Sequence, residues 1–258
     1  MTILPLPAFN DNYIWAILHK SNNEMWVVDP GDAKVVMDFL QQNNKKLIGI
    51  LITHHHFDHT GGVKELKEYA KCPVYGPHHL TELVTHPVSN TDPISIFDRS
   101  FETIETPAHT LDHLCYFSNT HSDPMLFSGD TLFRGGCGRL MEGSAAQMLT
   151  AMNRLKALPD DTKVYCTHEY TLSNYRFALS LEPDNQVLIE ADTHCQNLRK
   201  QNTPTLPSTL RLEKACNPFM RTDNRSLLAR AAQQINEPIS TDNSQQFAQV
   251  RRAKDAFS

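Results

Sequence analysis

The sequence predicts two regions of different fold class, an α/β domain over residues 1–170 and an all-helical domain over 171–258. In the first region, short runs rich in β-branched and aromatic residues alternate with amphipathic helical patterns, an order typical of a sheet covered by helices. In the second region helical periodicity replaces these runs, and prolines separate the helical stretches. These prolines stand at positions 183, 204, 207, 218 and 238.

Each predicted element follows from its local pattern of apolar and turn residues. In the first region, strands are predicted at 13–18, 25–29, 47–53, 73–76, 94–106 (a pair), 114–119, 125–130 and 163–166. Helices of this region are predicted at 32–44, 63–71 and 144–159. In the second region, helices are predicted at 171–181, 184–202, 208–216, 223–236 and 243–256.

Composition argues against several classes of protein. The 24 Lys and Arg against 29 Asp and Glu give a net charge of −5 with no basic run, so we expect no nucleic-acid partner. There is no apolar run of membrane-spanning length and no basic leader, so we expect no membrane association and a cytoplasmic location. The 6 cysteines are dispersed without a CxxC motif and require no disulfide framework. We expect a monomer.

Histidine is the unusual component, with 13 residues in the chain and four of them between positions 54 and 59. The segment THHHFDHTGG, residues 53–62, directly follows an apolar strand-like run. Residues two apart at a strand end point the same way, so His54 and His56 can address one ion. Asp58 and His59 lie where the chain turns into the next helix and can address a second ion. Because histidine is the commonest metal ligand, this spacing predicts a metal site rather than a set of solvated side chains.

The segment 53–62, placed after a strand–helix–strand start, resembles the signature of metallo-β-lactamase-fold hydrolases. Three later segments also resemble elements of that family, namely TPAHTLDH at 106–113, FSGDTLF at 127–133 and THEY at 167–170. The resemblance implies an αββα sandwich followed by the helical domain. It also implies one ion bound by His54, His56 and His113, a second bound by Asp58, His59 and His168, and Asp130 bridging both.

Nitrogen and carboxylate ligands without a thiolate suit Zn²⁺, Fe or Mn. We therefore expect two divalent ions per chain, with zinc first and iron or manganese as alternatives. Such a pair lowers the pKa of bound water to roughly 7, so a bridging hydroxide would act as the nucleophile. Asp58 and Asp130 are the predicted catalytic residues that hold it. No G-x-S-x-G motif offers a serine nucleophile instead.

Some positions depart from the family pattern or lie beside the predicted ligands. Ala108 and Asp112 replace glycines, and Phe57 stands where a smaller or polar residue is frequent, but none of these changes removes a ligand. His109 is predicted to support a ligand rather than to bind metal. Asp29 either orients a ligand histidine or closes a plain Asp-Pro-Gly turn, and His55 has no assigned role.

Four longer segments, at 6–15, 129–143, 168–174 and 251–257, resemble the glyoxalase II family, and the resemblance covers essentially the whole chain. It implies hydrolysis of S-D-lactoylglutathione to D-lactate and glutathione, the second step of methylglyoxal detoxification. It also places Arg139, Tyr170, Arg251 and Lys254 at substrate-binding positions, where cations match the carboxylates of glutathione. Met141 replaces a tyrosine found in some relatives.

Two alternatives within the same fold remain at this point. One is another hydrolase such as a lactonase, and the other is a persulfide dioxygenase that uses one iron and oxygen. The helical domain and the segment 168–170 favour the two-metal thioesterase. Metal content per chain and oxygen consumption separate the two chemistries.

Overall fold

The computed structural model describes residues 1–119 and 123–257. In chain order, its strands are β1 (Thr2–Ala8), β2 (Asn12–Leu18), β3 (Glu24–Val28), β4 (Lys46–Leu51), β5 (Val74–Gly76), β6 (His86–Pro87), β7 (Pro93–Ile96), β8 (Arg99–Glu105), β9 (Leu114–Ser118), β10 (Met125–Gly129), β11 (Leu132–Phe133), β12 (Gly136–Cys137), β13 (Lys163–Cys166) and β14 (Ser208–Thr209). Its helices are α1 (Ala33–Gln42), α2 (Phe57–Thr60), α3 (Val63–Ala70), α4 (Ala145–Lys156), α5 (Thr171–Leu181), α6 (Gln186–Lys200), α7 (Leu210–Cys216), α8 (Arg225–Gln234) and α9 (Asn243–Ala256), with a 3-10 turn at Pro218–Met220.

The strands form two large mixed sheets and one small hairpin. The first sheet has the order β1-β2-β3-β4-β5-β6, antiparallel as far as β3 and parallel from β3 onward. The second has the order β14-β13-β10-β9-β8-β7, in which only β10 and β13 pair in parallel among the described strands. The hairpin of β11 and β12 follows β10 directly.

Three apolar layers show that the two sheets pack face to face between helices. Ile14 and Ile50 of the first sheet share a cluster with Val36 of α1. Trp15 of the first sheet and Phe127 of the second belong to the cluster between the sheets. The outer face of the second sheet contributes to a third cluster, which also contains residues of α4, α5, α8 and α9. The predicted αββα sandwich is therefore confirmed.

The C-terminal helices α5 to α9 lie where helical periodicity predicts them. They are not packed only against one another, because Phe177 of α5 and Phe247 of α9 share the core cluster that contains Leu126 and Val164 of the second sheet. The short strand β14 also joins that sheet beside β13. No helix in the described part of the chain combines the length and apolar character needed to cross a bilayer.

Candidate metal centre

The predicted ligands gather at one edge of the sandwich, beyond the carboxyl ends of four strands. Asp29 follows β3, His54 follows β4, Asp130 follows β10 and His168 follows β13. A backbone bridge between Asn12 and His168 joins the two sheets at this edge. Parallel strands deliver their carboxyl ends to the same side of a sheet, and for this reason residues far apart in sequence meet here.

Gly129 makes the turn that brings Asp130 into this centre. Its φ of +48° lies in the left-handed region, which glycine adopts without a steric penalty. A Cβ at this position would lie 2.6 Å from Thr53 Oγ1 and 2.7 Å from His113 Nε2. The close approach of these side chains therefore requires glycine.

Asp29 fixes two of the histidines from behind. Its carboxylate accepts hydrogen bonds from the Thr53 amide and hydroxyl, both at 2.7 Å, and lies 2.9 Å from His59 Nδ1. A carboxylate only accepts, so His59 Nδ1 carries the proton. The Thr53 hydroxyl has donated its one hydrogen to Asp29, and it therefore accepts from His54 Nδ1 at 3.0 Å. Asp29 thus orients ligand histidines and is more than a turn residue.

Two further histidines are fixed in the same tautomer. His168 Nδ1 donates to Asp11 Oδ1 at 2.8 Å, and His109 Nδ1 donates to the Arg139 carbonyl at 2.8 Å. In all four rings the proton therefore sits on Nδ1, which leaves the lone pair on Nε2. This is the arrangement that metal-binding histidines require, with the second ring nitrogen held by an oxygen acceptor.

The Nε2 atoms with free lone pairs face other acceptor atoms, and there are too few hydrogen atoms to make a hydrogen bond at each contact. His54 Nε2 and His109 Nε2 lie 3.0 and 3.1 Å from the same atom, His56 Nδ1, and these two contacts could share at most one proton. His59 Nε2 and Asp130 Oδ1 are buried, accept no hydrogen bond within the described residues, and lie 3.5 Å apart. Because buried polar atoms normally have partners, these observations fit divalent metal ions.

Asp58 and Asp130 supply the carboxylates of the centre. Asp58 Oδ2 lies 3.4 Å from Nε2 of both His59 and His168 and accepts a hydrogen bond from the Asn12 amide at 2.9 Å. Asp130 Oδ2 lies 3.3 Å from His168 Nε2 and 3.5 Å from His109 Nε2. Its Oδ1 faces His59, and ligand atoms of Asp130, His54 and His59 lie within 4.8 Å of one another. Asp130 therefore lies beside predicted ligands of both ions, as a bridging ligand would.

His113 is the predicted ligand that stands apart from the others. Its ring stacks on His54 with centroids 4.8 Å apart, but its Nε2 accepts the Asp130 amide hydrogen at 3.0 Å. Its Nδ1 faces the hydroxyls of Thr106 and Thr131 at 3.0 and 3.1 Å. The structure instead brings His109 into the ligand-spaced group with His54 and His56.

The charges of the centre favour a cation. Burial lowers the pKa of His54 and lowers that of His113 to about 3, so both rings are neutral at pH 7. Burial also lowers the pKa of His59 and His168, but the Asp130 carboxylate raises both values more than burial lowers them. Asp29 adds to this effect at His59. The pKa of each ring therefore lies above that of an ordinary histidine. The carboxylates therefore attract positive charge here, which either protons or divalent ions can supply.

A cavity of about 460 Å³ opens beside the centre and contains the four residues predicted to bind substrate. Asp130 and His109 line one part of it, and Phe133 and Met141 also border it. The predicted substrate-binding residues in its wall are Arg139, Tyr170, Arg251 and Lys254. The structure thus places these four side chains in the cavity that reaches the predicted ligand Asp130.

The two cations that α9 contributes to the cavity are held differently. Arg251 is buried, with its guanidinium 4.9 Å from the Phe219 ring, donating to the Cys137 carbonyl at 3.2 Å and pairing with Asp255 at 2.8 Å. Lys254 donates to the Ser173 carbonyl at 3.1 Å. Partial burial lowers the pKa of Lys254 to about 8, and the nearby Arg251 adds to this effect.

Tyr170 connects the cavity to the metal centre. Its ring stacks on His168 at 4.7 Å with an interplanar angle of 2°, and Phe133 packs edge-on against both rings. With 39% of its surface exposed, Tyr170 also offers its hydroxyl to the cavity. It can therefore both orient His168 and contact a bound molecule.

The sequence did not assign roles to Asp11 and Asn12, although both contact predicted ligands. Asp11 lies in the turn between β1 and β2, and Asn12 is the first residue of β2; they reach residues 157 and 46 positions away, respectively. The available signal was polar residues directly before an apolar strand within a segment that resembles the family. This pattern indicates that the segment could contribute to the site, but it does not predict which ligand each side chain contacts.

Comparisons with known proteins identify the family of this chain. A family model described as the metallo-beta-lactamase superfamily matches residues 12–168, and one described as the hydroxyacylglutathione hydrolase C-terminus matches 169–257. Two relatives named hydroxyacylglutathione hydrolase are similar over nearly their whole length. The protein of Marinomonas sp. (strain MWYL1) is 60% identical over 100% of both chains, and that of Hahella chejuensis (strain KCTC 2396) is 46% identical over 99% of both.

Solved structures show the same fold at lower identity. The BLEG-1 B3 metallo-beta-lactamase has a TM-score of 0.64 at 21% identity, covering 85% of this chain and 99% of its own. ETHE1 from Myxococcus xanthus has a TM-score of 0.67 at 23% identity, covering 92% of both chains. Taken with the family models and full-length relatives, the chain belongs to the hydroxyacylglutathione hydrolase family, a branch of the metallo-β-lactamase superfamily.

Proposed function

We propose that the protein hydrolyses hydroxyacylglutathione thioesters, with S-D-lactoylglutathione as its substrate and D-lactate and glutathione as products. The observation that carries this proposal is the cavity of about 460 Å³ in which cationic side chains and metal-ligand residues face one space. Such a substrate fits this cavity, because its glutathione carboxylates can face the cations while its thioester faces the metal-ligand residues. Full-length relatives that bear the name of this activity support it.

We assign two divalent ions to the centre, zinc first and iron or manganese as alternatives. The proposed ligands are His54, His56 and His109 for one ion and Asp58, His59 and His168 for the other, with Asp130 shared. His109 takes the place of the predicted ligand His113, because the Nε2 of His113 accepts the Asp130 amide hydrogen whereas His109 has ligand spacing with His54 and His56. The shared role of Asp130 is supported by its position, because it forms one ligand-spaced group with His54, proposed for the first ion, and His59, proposed for the second. Such ions would supply an activated water as nucleophile and polarise the thioester carbonyl.

Asp58 is placed to orient the attacking water. The Asn12 amide holds Asp58 in place, and 39% of the Asp58 side chain is exposed. Burial raises the pKa of this carboxyl, but His59 and the Asn12 amide outweigh it, so the group stays ionised near neutral pH. Asp58 can therefore accept a hydrogen bond from the attacking water and orient it.

The substrate is held at the cationic part of the cavity. We propose residues 171–258 as a substrate-binding domain, because α9 carries both Arg251 and Lys254. Arg139 and Tyr170 complete the wall from the catalytic domain, 1–170. These cations bind the glutathione carboxylates and thereby position the thioester carbonyl near Asp130.

The bond changes are those of hydrolysis. Oxygen of water bonds to the thioester carbonyl carbon, the C–S bond breaks, and the thiolate of glutathione leaves with the electron pair and takes up a proton. Neither a serine nor a cysteine of the chain needs to act as nucleophile. Cys137, which lines the cavity, is a buried thiol whose pKa burial raises to about 11, so it is not a thiolate at pH 7.

The test is a turnover assay over glutathione thioesters, a lactone and a persulfide, with metal analysis on the same sample. Hydrolysis of S-D-lactoylglutathione should disappear on chelation and return with Zn²⁺, Fe²⁺ or Mn²⁺. Metal-loaded protein that cleaves the lactone but not the thioester would overturn the proposal. One iron per chain with oxygen consumption would instead indicate a persulfide dioxygenase.

The ligand role of His109 has its own test, because His113 competes with it for the same ion. The variants His113→Ala and His109→Ala should be compared by metal content per chain. We expect His109→Ala to lose one ion and His113→Ala to retain both, although with altered affinity. The reverse outcome would transfer the ligand role to His113.

A further inference from the structure

A second group of metal-ligand side chains lies on the other side of the histidine loop. It consists of His55, His79 and Asp112, whose ligand atoms all lie within 4.8 Å of one another. Glu142 adds a further carboxylate. The four residues come from separate loops, and each lines a cavity of about 500 Å³.

The distances within this cluster join all four side chains. His55 Nδ1 lies 2.9 Å from Asp112 Oδ1, and His55 Nε2 lies 3.4 Å from Glu142 Oε1. His79 Nε2 lies 3.4 Å from Asp112 Oδ2. Asp112 is therefore the centre of the group, with one carboxylate oxygen toward each histidine.

Burial of Asp112 makes the group more than an exposed acidic patch. Its side chain is 9% exposed, and Oδ2 is a buried atom with no hydrogen-bond partner in the described parts of the chain. A buried carboxylate oxygen without a donor is costly unless a cation or a donor satisfies it. His79, which is 54% exposed, faces this oxygen from the solvent side.

The cavity is separate from the proposed active site. The cavity that contains Arg251 and Lys254 shares no lining residue with the one that contains His55 and His79. Both nevertheless border the same ligand loops, because His55 stands between His54 and His56 and Asp112 precedes His113. Asp112 also replaces a glycine of the family pattern, so its carboxylate is an addition to that pattern.

We propose that His55, His79 and Asp112, with Glu142 as a fourth donor, form a further site for a divalent transition-metal ion. Two imidazoles and one or two carboxylates are a donor set suited to Zn²⁺, and the open cavity leaves room for water ligands. An ion at this position would tie the loop after β5 to the two loops that carry the catalytic ligands. The site is independent of the proposed hydrolase activity.

The test uses the full chain already reconstituted with two equivalents of zinc. Equilibrium dialysis against additional Zn²⁺ measures zinc per chain in the native protein and in His79→Ala. We expect the native protein to bind one further equivalent and His79→Ala to bind it at least about tenfold more weakly. Because His79 is more than half exposed, its replacement should leave the fold intact, which circular dichroism checks.

The matched control is His78→Ala. His78 lines the same cavity but bonds to Ser89 Oγ at 2.8 Å and lies outside the metal-spaced group. It should retain the additional equivalent, whereas Asp112→Gly should lose it. No additional equivalent in the native protein, or equal binding by the native protein and His79→Ala, would overturn the proposal and leave His55 and Asp112 as a simple ion pair.

Discussion

The metal centre and the cationic part of the adjoining cavity are built in opposite ways. At the centre, His54 and Asp130 are buried just after β4 and β10 and His59 is buried in α2, and both histidines are held by oxygen acceptors. At the cationic part, Arg139 is exposed and Lys254 is half-buried. The first region is fixed by the sheets, and the second is assembled from a loop and a late helix.

This difference suits the metal centre to catalysis and the cationic part to substrate binding. Buried, oriented groups keep their geometry without reorganising, which is what stabilisation of developing charge requires. Arg139 and Lys254 keep part of their mobility and solvation, so each contributes modestly to binding. Arg251 differs from them, because it is buried and fixed by the Cys137 carbonyl and Asp255. Changes at the centre should therefore abolish metal binding and turnover, whereas changes at the cations should affect substrate affinity.

The largest effect is expected for Asp130→Asn. The substitution removes the carboxylate that faces both histidine groups, and metal ions supply several kcal/mol of transition-state stabilisation. We expect loss of at least one ion per chain and a decrease in kcat of about a thousandfold. Metal analysis and steady-state kinetics measure both. Asp255→Asn is the control at the cationic part and should retain its metal; full activity of Asp130→Asn would contradict the comparison.

A smaller effect is expected for Asp11→Ala. Asp11 does not belong to the predicted ligand set, but it accepts the Nδ1 hydrogen of His168 and so fixes the tautomer of that ring. Loss of such a partner typically weakens metal binding by about 10- to 100-fold. Metal titration should show this loss, with partial recovery in Asp11→Asn, whose side-chain oxygen can still accept. Unchanged metal affinity in both variants would show that His168 needs no support.

Lys254→Ala should act on binding rather than on chemistry. A hydrogen bond to a charged group contributes about 1.5–3 kcal/mol, so we expect KM to rise about tenfold while kcat changes little. Arg251→Ala should shift the same constants in the same direction. Arg252→Ala is the matched control on α9, because Arg252 pairs with Glu237 instead and does not line the cavity. Equal losses in kcat and kcat/KM would assign Lys254 to the chemical step.

The smallest effect is a pH dependence of KM. The pKa of Lys254 is lowered to about 8, so its positive charge is present at pH 7 and is largely lost by pH 9. Since the charged form binds carboxylates, KM should rise over this interval by less than about tenfold. In Lys254→Arg the cation persists, and KM should stay flat; a rise of equal size in that variant would assign the titration to another group.

Local sequence pattern was sufficient for most helices and strands. The stretch predicted as a helix at 171–181 is α5, and the apolar run at 13–18 lies within β2. The strand β1 was not predicted, and it contains Pro5 and Pro7, residues that central strands normally exclude. Both prolines are accommodated since β1 is an edge strand that pairs only with β2 among the described strands.

The segment predicted as a helix at 208–216 also contains a strand that its local pattern did not predict. It begins as the short strand β14 and continues as α7. Ser208 and Thr209 pair with β13, which precedes them by more than forty residues. A strand of two residues carries no periodicity of its own, so only its partner could reveal it.

The sequence by itself determined the succession of strands and helices, the helical region and the ligand-rich loop at 53–62, because periodicity and ligand spacing are local properties. The sandwich was implied by the resemblance to a known family. Tertiary structure decided which atoms of these residues are available. Asp11, Asp29 and the Arg139 carbonyl set the tautomers of His168, His59 and His109 from distant parts of the chain. The same folding placed His79 against Asp112. Such pairings depend on how strand ends and loops meet in space, and no local pattern specifies that meeting.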